Sequence, residues 1–265
     1  MKRLFLFDMD GTLTAPREKM SISNEIMLGQ LQHKGFEVGI ITGSDMNYVK
    51  QQCATLFDMS LIQTNETHFL PCNGTKYILN GETIYSQNMK EYMGVENWRK
   101  MIVFLIQQQY RLCLEPPVAI EDRWDIPLTG HFFNYRASLL NWCPIGRNAS
   151  QDDRKIWEKI DKDSRVRKEI LIRIQSFVES LGCDINVKLG GDTSFDIFPV
   201  GWDKTYPIDC TNYFDDYESI YFIGDRCQPN GNDYELYNHP RIEGFETESP
   251  EMTIEIVNKI LSQDV

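Results

Sequence analysis

Three short runs of apolar residues end abruptly in polar, chemically active residues. Leu4-Phe5-Leu6-Phe7 leads into Asp8-Met9-Asp10-Gly11-Thr12, Phe36 to Ile41 into Thr42-Gly43-Ser44-Asp45, and Ser219 to Ile223 into Gly224-Asp225. A short continuous apolar run, unlike an alternating one, suits a strand buried on both faces. Between the first two runs, Ser23 can cap a helix that carries Met27 and Leu31 at i, i+4 spacing and stops at Gly35. Ser249-Pro250 opens a last helix with Ile254, Val257 and Leu261 on one face. Strand, helix and strand in this order predict an open parallel sheet, and such sheets bind ligands beyond the carboxyl ends of their strands. The polar residues sit there.

The middle of the chain follows a different grammar. Trp98, Met101, Ile102 and Leu105 mark one amphipathic helix; Val166, Ile170, Ile174, Phe177 and Leu181 mark another, ended by Gly182. Around these two long helices lie candidate strands at 119–122, 131–142, 184–189 and 194–198. Strands beside strands predict an α+β insert with its own antiparallel sheet. The expected organisation is therefore an α/β core from residues 1–84 and 200–265, interrupted by an α+β domain over 85–199.

Bulk properties narrow the partners. With 27 basic and 39 acidic residues the chain carries a formal charge of −12. Non-specific nucleic-acid binding draws its affinity from cations set against phosphates, so a nucleic-acid partner is not expected. A phosphorylated small molecule would instead need a local cluster of cations. No apolar run approaches the ~18 residues of a membrane span. The apolar stretch at the amino terminus halts at Asp8, short of the ~7–15 residues of a secretion signal, so the expected location is the cytosol. The seven cysteines are scattered and never spaced C-x-x-C, which predicts free thiols. The four histidines fall outside every motif, so none is expected to act on a metal or a proton.

The motifs themselves point to phosphate chemistry. Asp8 and Asp10, two residues apart before a glycine, can share a hard cation and a phosphoryl group, since magnesium favours a few carboxylates plus substrate phosphates. Ser44 and the amides around it can hold phosphoryl oxygens. Lys204, in Gly201-Trp202-Asp203-Lys204, offers a cation between Asp8 and a phosphate. Asp233 follows Asp225 across the turn-rich Pro229-Asn230-Gly231-Asn232. Asp225 would complete a magnesium site, with Asp233 supporting it or Lys204. Each motif alone has an ordinary reading as a solvated turn, a helix cap or a surface lysine. The ordered set does not share one.

This set resembles the signature of the haloacid dehalogenase superfamily. The resemblance implies a Rossmann-like parallel core plus an inserted cap. It makes Asp8 a nucleophile that forms an aspartyl phosphate, and Asp10 the acid/base serving the sugar oxygens. It also implies Mg2+ held by Asp8, the Asp10 carbonyl and Asp225.

Within the superfamily the chain is similar, nearly end to end, to the eukaryotic phosphomannomutases. The matching stretches are Phe7 to Arg17, Gly43-Ser44-Asp45, Pro144-Ile145-Gly146-Arg147, Gly190-Gly191, Ser194 to Pro199, Gly201 to Lys204 and Gly231-Asn232-Asp233. By this resemblance Arg17, Arg136, Arg147 and Arg154 grip substrate phosphate, while Ser194 and Asp196 contact sugar hydroxyls. Guanidinium forks suit that task because they bind phosphate oxygens bidentately. The implied reaction interconverts mannose 6-phosphate and mannose 1-phosphate, feeding GDP-mannose, with a hexose 1,6-bisphosphate as activator. The resemblance also implies cap closure against water and a homodimer formed through the cap. A sugar-phosphate phosphatase with the same core is the alternative. The chain departs from the pattern at Cys72, usually glutamate, at Asn230, usually glycine, and at His239, where relatives place a carboxylate for a second cation.

Overall fold

The computed structural model describes residues 2–58, 66–114, 126–229 and 231–263. In chain order the elements are β1 (Lys2–Phe7), α1 (Ile22–His33), β2 (Glu37–Ile41), α2 (Met46–Gln52), α3 (Ala54–Asp58), β3 (Thr67–Leu70), β4 (Lys76–Leu79) and β5 (Glu82–Ser86). There follow α4 (Met89–Leu114), β6 (Phe133–Tyr135), β7 (Leu140–Trp142), α5 (Gln151–Ser164), α6 (Val166–Glu179), β8 (Ile185–Gly190) and β9 (Ser194–Pro199). The chain closes with α7 (Tyr206–Asp209), β10 (Tyr217–Gly224), α8 (Tyr234–Tyr237), β11 (Glu243–Glu246) and α9 (Pro250–Gln263). These elements fall into two compact units, Met1–Gln87 with Gly201–Val265, and Asn88–Val200.

The first unit is built on a sheet of order β11-β10-β1-β2-β3-β4-β5. Its first five strands run parallel, and β4 and β5 add an antiparallel edge. The continuous apolar run in β1 divides by alternation. Phe5 and Phe7 join a core with Met27, Leu28 and Leu31 of α1 and Val257 and Ile260 of α9. Leu4 and Leu6 join a second core with Ile208, Phe214, Phe222 and Leu236. All four β1 side chains are fully buried, each contributing about 1.5–3 kcal/mol. A strand covered on both faces is thus held rigidly, and it delivers Asp8 at its end.

Among its described residues the second unit has a four-stranded sheet, order β6-β7-β9-β8, with every pairing antiparallel. Met101, Leu105, Trp142, Ile170, Ile174, Phe195 and Ile197 are buried in it. Gln109 ties α4 to β7 by accepting from Trp142 Nε1 at 2.8 Å and donating to the Pro144 carbonyl at 2.9 Å.

Several expectations are corrected. The cap of α1 is Ser21, whose hydroxyl accepts from the Asn24 amide at 3.3 Å, and not Ser23. The ordinary alternative for Ser44, a helix cap, falls away, since Asp45 caps α2 by accepting from the Tyr48 amide at 2.9 Å. The single strand read over 131–142 is a hairpin, because Ala137 turns the chain at φ 62° and Arg136 donates to the Leu139 carbonyl. The helix read as far as Leu181 ends at Glu179, ahead of Gly182. Among its described residues this unit has three long helices rather than two: α5 carries a capping box at Ser150 and Asp153 but buries only Trp157, so it has no apolar stripe. The strand read at 119–122 lies outside the described residues.

Candidate active site

Adjacent parallel strands bring the motifs into one layer. Phe7 of β1 is in register with Ile223 of β10 and Ile40 of β2, so Asp8, Gly224-Asp225 and the Thr42-to-Asp45 loop leave the same edge of the sheet. The Asp8 amide donates to the Ile223 carbonyl at 2.9 Å, extending the pairing by one residue.

Asp8, Asp225 and Asp233 come together: one carboxylate oxygen from each lies within 4.8 Å of the others. Two glycines make room for them. Gly11, at φ 91°, would with a side chain strike the Asp225 carboxyl carbon at 2.6 Å. A side chain at Gly224 would meet Asp233 Oδ2 at 2.7 Å. Lys204 is wholly buried and donates to both Asp8 Oδ1 and Asp233 Oδ1, the second at 2.6 Å. Asp233 is fixed further by the Arg226 amide, which donates to Oδ2 at 3.0 Å.

Burial raises the Asp8 carboxyl to about 8 against the pull of Lys204, and the Asp233 charge adds to the rise. For Lys204, burial opposes the charge, but Asp233 and Asp8 outweigh it and hold the ammonium above the ordinary lysine range. Asp225 is raised by burial and then by Asp233. When all three carboxylates are ionised, the one buried ammonium leaves two negative charges to be offset, which is the charge that burial resists. Arg226, largely exposed, approaches Asp225 only at 3.9 Å. All three acidic side chains supply hard oxygen donors, the kind a small divalent cation such as magnesium selects. The residues present fit that ion.

The Asp10 carboxylate stands apart from this triangle. Its Oδ1 accepts from the Tyr48 hydroxyl at 3.0 Å and from the Arg17 amide at 3.4 Å. Arg17 itself is exposed and takes a left-handed φ of 66°. Ser44 is half-buried; its amide donates to Thr42 Oγ1 at 3.1 Å and its carbonyl accepts from the Cys72 amide at 2.8 Å. Cys72 is buried in the left-handed region, at φ 55°. His239 pairs with Asp209 at 3.0 Å. Asn230 lies outside the described residues.

In the second unit, Ser194 and Asp196 share β9, and Asp196 faces Asn141 of β7 in register. Asn141 is the hub. Its Nδ2 donates to Ser194 Oγ at 2.9 Å and to Asp196 Oδ1 at 2.7 Å, and its Oδ1 accepts from Arg147 Nη1 at 3.0 Å. Arg154, on α5, donates to Thr193 Oγ1 at 3.0 Å and to the carbonyls of Ala149 and Arg147 at 3.2 Å each. Arg136 sits in the β6–β7 turn, and its charge acts on both Arg147 and Asp196. Arg147 is exposed as a residue, yet local desolvation, followed by the charges of Arg136 and Arg154, lowers its pKa. Asp196 is raised by burial, against the hydrogen bond from Asn141 and the two arginines. A cluster with more cations than anions suits an anionic ligand.

Sequence reasoning missed Asn141, Thr193 and Tyr48. An asparagine within the otherwise apolar Leu139-to-Cys143 stretch was the available signal for the first. Nothing local marks the other two.

Comparison with known proteins identifies the family. Two relatives show the extent of similarity. Phosphomannomutase 2 of Dictyostelium discoideum is 35% identical over 258 residues, covering 96% of this chain and 94% of that one. The phosphomannomutase of Dendrobium officinale is 36% identical over 253 residues, covering 95% and 91%. Among solved structures, an IMP-bound Plasmodium falciparum IMP-nucleotidase, truncated at its amino terminus, superposes with a TM-score of 0.62 at 12% identity, covering 98% of this chain and 68% of that one. A haloacid dehalogenase-like hydrolase from Bacteroides thetaiotaomicron gives 0.56 at 17% identity, covering 98% and 100%. At such identities the likeness establishes a haloacid dehalogenase-like fold and no more. The family model for eukaryotic phosphomannomutase matches residues 25–263, and with relatives of this identity along nearly the whole length, the chain belongs to the eukaryotic phosphomannomutase family.

Proposed function

We propose that the protein is a magnesium-dependent phosphomannomutase that works through a phosphorylated Asp8. The observation that carries the proposal is the bridge from Lys204 to Asp8 and Asp233, with Asp225 completing the carboxylate triangle. An aspartate held by a fixed ammonium at a strand end is oriented for attack on phosphorus. It is also partly shielded from the repulsion that a phosphate would otherwise meet.

A hexose 1,6-bisphosphate primes the enzyme. Asp8 attacks one of its phosphorus atoms, the bond to the sugar oxygen breaks, and Asp10 gives that oxygen its proton. Asp8 then returns the phosphoryl group to a hydroxyl of mannose 6-phosphate or mannose 1-phosphate, and Asp10 takes up the displaced proton. The bisphosphate so formed reorients, and Asp8 removes the phosphoryl group from the other end. Ser44 and its neighbouring amides hold the phosphoryl oxygens, and Lys204 keeps Asp8 aligned. Asp8, Asp225, the Asp10 carbonyl and Asp233 would hold magnesium, which when bound would supply positive charge to offset the phosphoryl oxygens.

Residues 88–200 act in this proposal as the cap. There Arg136, Arg147 and Arg154, together with Arg17, grip the phosphate that is not reacting, while Ser194 and Asp196 receive sugar hydroxyls. Exclusion of water from the phosphoaspartate separates a mutase from a phosphatase. A homodimer formed through the cap, a cytosolic location and a role in supplying GDP-mannose complete the proposal. Among the described residues no helix is long and apolar enough to cross a membrane.

The test is mannose 1-phosphate with magnesium and a trace of hexose 1,6-bisphosphate. Conversion to mannose 6-phosphate should outpace release of inorganic phosphate. Rapid phosphate release without isomerisation would make the protein a phosphatase instead.

A further inference from the structure

Asp10 is expected to exchange a proton with the sugar, but a carboxylate has two oxygens and only one should face the substrate. Both hydrogen bonds to its carboxylate end on the same atom. Tyr48 Oη reaches Oδ1 at 3.0 Å, and the Arg17 amide reaches it at 3.4 Å. Among the described residues Oδ2 receives neither.

Tyr48 is well built for a fixed donor. It is the third residue of α2, and Asp45 pins its amide at 2.9 Å. Its ring packs against the core formed by Phe5, Phe7, Met27 and Val49. Its hydroxyl donates to the carboxylate, which when ionised can only accept.

We propose that Tyr48 is a positioning residue that occupies Asp10 Oδ1 and so reserves Oδ2 for the proton exchanged with the sugar oxygen. A proton on Oδ1 would confront two donor hydrogens, whereas on Oδ2 it meets neither of them. The inference rests on the proposed acid/base role of Asp10. Because Asp45 caps the Tyr48 amide, Tyr48 also links the Ser44-Asp45 loop to the acid.

The experiment compares wild type, Tyr48→Phe and Asp10→Asn on two substrates. Phenylalanine keeps the ring packing, and a thermal melt checks the fold. With mannose 1-phosphate, Tyr48→Phe should lower kcat about tenfold, as the loss of one hydrogen bond to a charged group predicts, with KM changed less than about twofold. With p-nitrophenyl phosphate the phenolate departs without a proton. In a single turnover with enzyme in excess, both variants should therefore lose less on release of 4-nitrophenolate than on mannose 1-phosphate. If Tyr48→Phe leaves kcat for mannose 1-phosphate intact, or loses equally on both substrates, Tyr48 has no positioning role. If Asp10→Asn loses equally on both, it is the acid/base reading that fails; if only Asp10→Asn discriminates, that reading stands and the Tyr48 inference falls.

Discussion

Lys204 Nζ lies 2.6 Å from Asp233 Oδ1 in an ion pair that solvent does not reach from either side. The same ammonium also donates to Asp8. Asp8 follows β1 and Asp233 ends the loop after β10, so one side chain ties together two loops at the working edge of the sheet. Breaking a buried pair from one end costs about 3–5 kcal/mol, because the remaining charges lose their compensation. Lys204→Met should therefore lower unfolding stability by about 3 kcal/mol in urea titrations. It should also cut isomerase turnover at least ~100-fold, since the nucleophile loses its alignment. A variant that melts and turns over like wild type would show that the bridge carries neither burden.

The three carboxylates make a second prediction. Asp225 is the least constrained of them, with a single ion pair at 3.9 Å. Asp225→Asn should raise the magnesium concentration for half-maximal rate about 10–100-fold while leaving the protein folded. Wild type should lose all turnover in excess chelator, regain it with magnesium, and melt at higher temperature when magnesium is added. The variant should show a much smaller thermal shift. Full turnover in chelator would remove the metal from the reaction.

What could be read in advance follows from where the free energy lies. β1, β2 and β10 sit in the middle of a doubly covered sheet, so burial forces unbroken apolar runs such as Leu4 to Phe7, and the runs announce the strands. The edge strand β5 is exposed at four of five positions and has no such pattern, so it was invisible. Helix α5 is held through Trp157 and its capping box and reads as polar surface. The site divides along the same line. Asp8 and Asp225 are betrayed by the strands they terminate, whereas Lys204 alone is indistinguishable from a surface lysine until the fold buries it between two aspartates. Tyr48 reaches Asp10 across 38 residues and Asn141 reaches Asp196 across 55, separations that no local pattern encodes.

Asn141 is buried between Ser194, Asp196 and Arg147, and it satisfies all three at 3.0 Å or less. Truncation to alanine would remove the hydrogen bond that opposes the burial of Asp196 and release Arg147 from its fixed direction. Asn141→Ala should thus raise KM for mannose 1-phosphate about tenfold, with a stability loss of ~1–3 kcal/mol for the unsatisfied groups. Steady-state kinetics alongside urea unfolding would separate the two effects. An unchanged KM would detach this network from substrate binding.

At the opposite edge of the sheet, Glu37 begins β2 and accepts from His68 Nε2 at 2.8 Å and from the Tyr217 hydroxyl. The His68 hydrogen bond, with help from Tyr217, outweighs burial and lowers the Glu37 carboxyl to about 2 from an ordinary 4.5. The folded state thus binds the proton more weakly than the unfolded chain. Its contribution to stability is complete above about pH 4.5 and drains away as pH falls toward about 2. Since 34% of the Glu37 side chain is exposed, solvent screening reduces that contribution to ~1–2 kcal/mol. Glu37→Gln should be less stable than wild type by that amount at pH 7, and the gap should close between about pH 4.5 and pH 2. Comparing the two proteins at each pH cancels the other carboxylates that titrate in the same window. Because Glu37 is remote in the sheet from Asp8, turnover at neutral pH should be unchanged. A stability gap that stays constant through acid would mean that packing, and not the ionised carboxylate, is what glutamate supplies there.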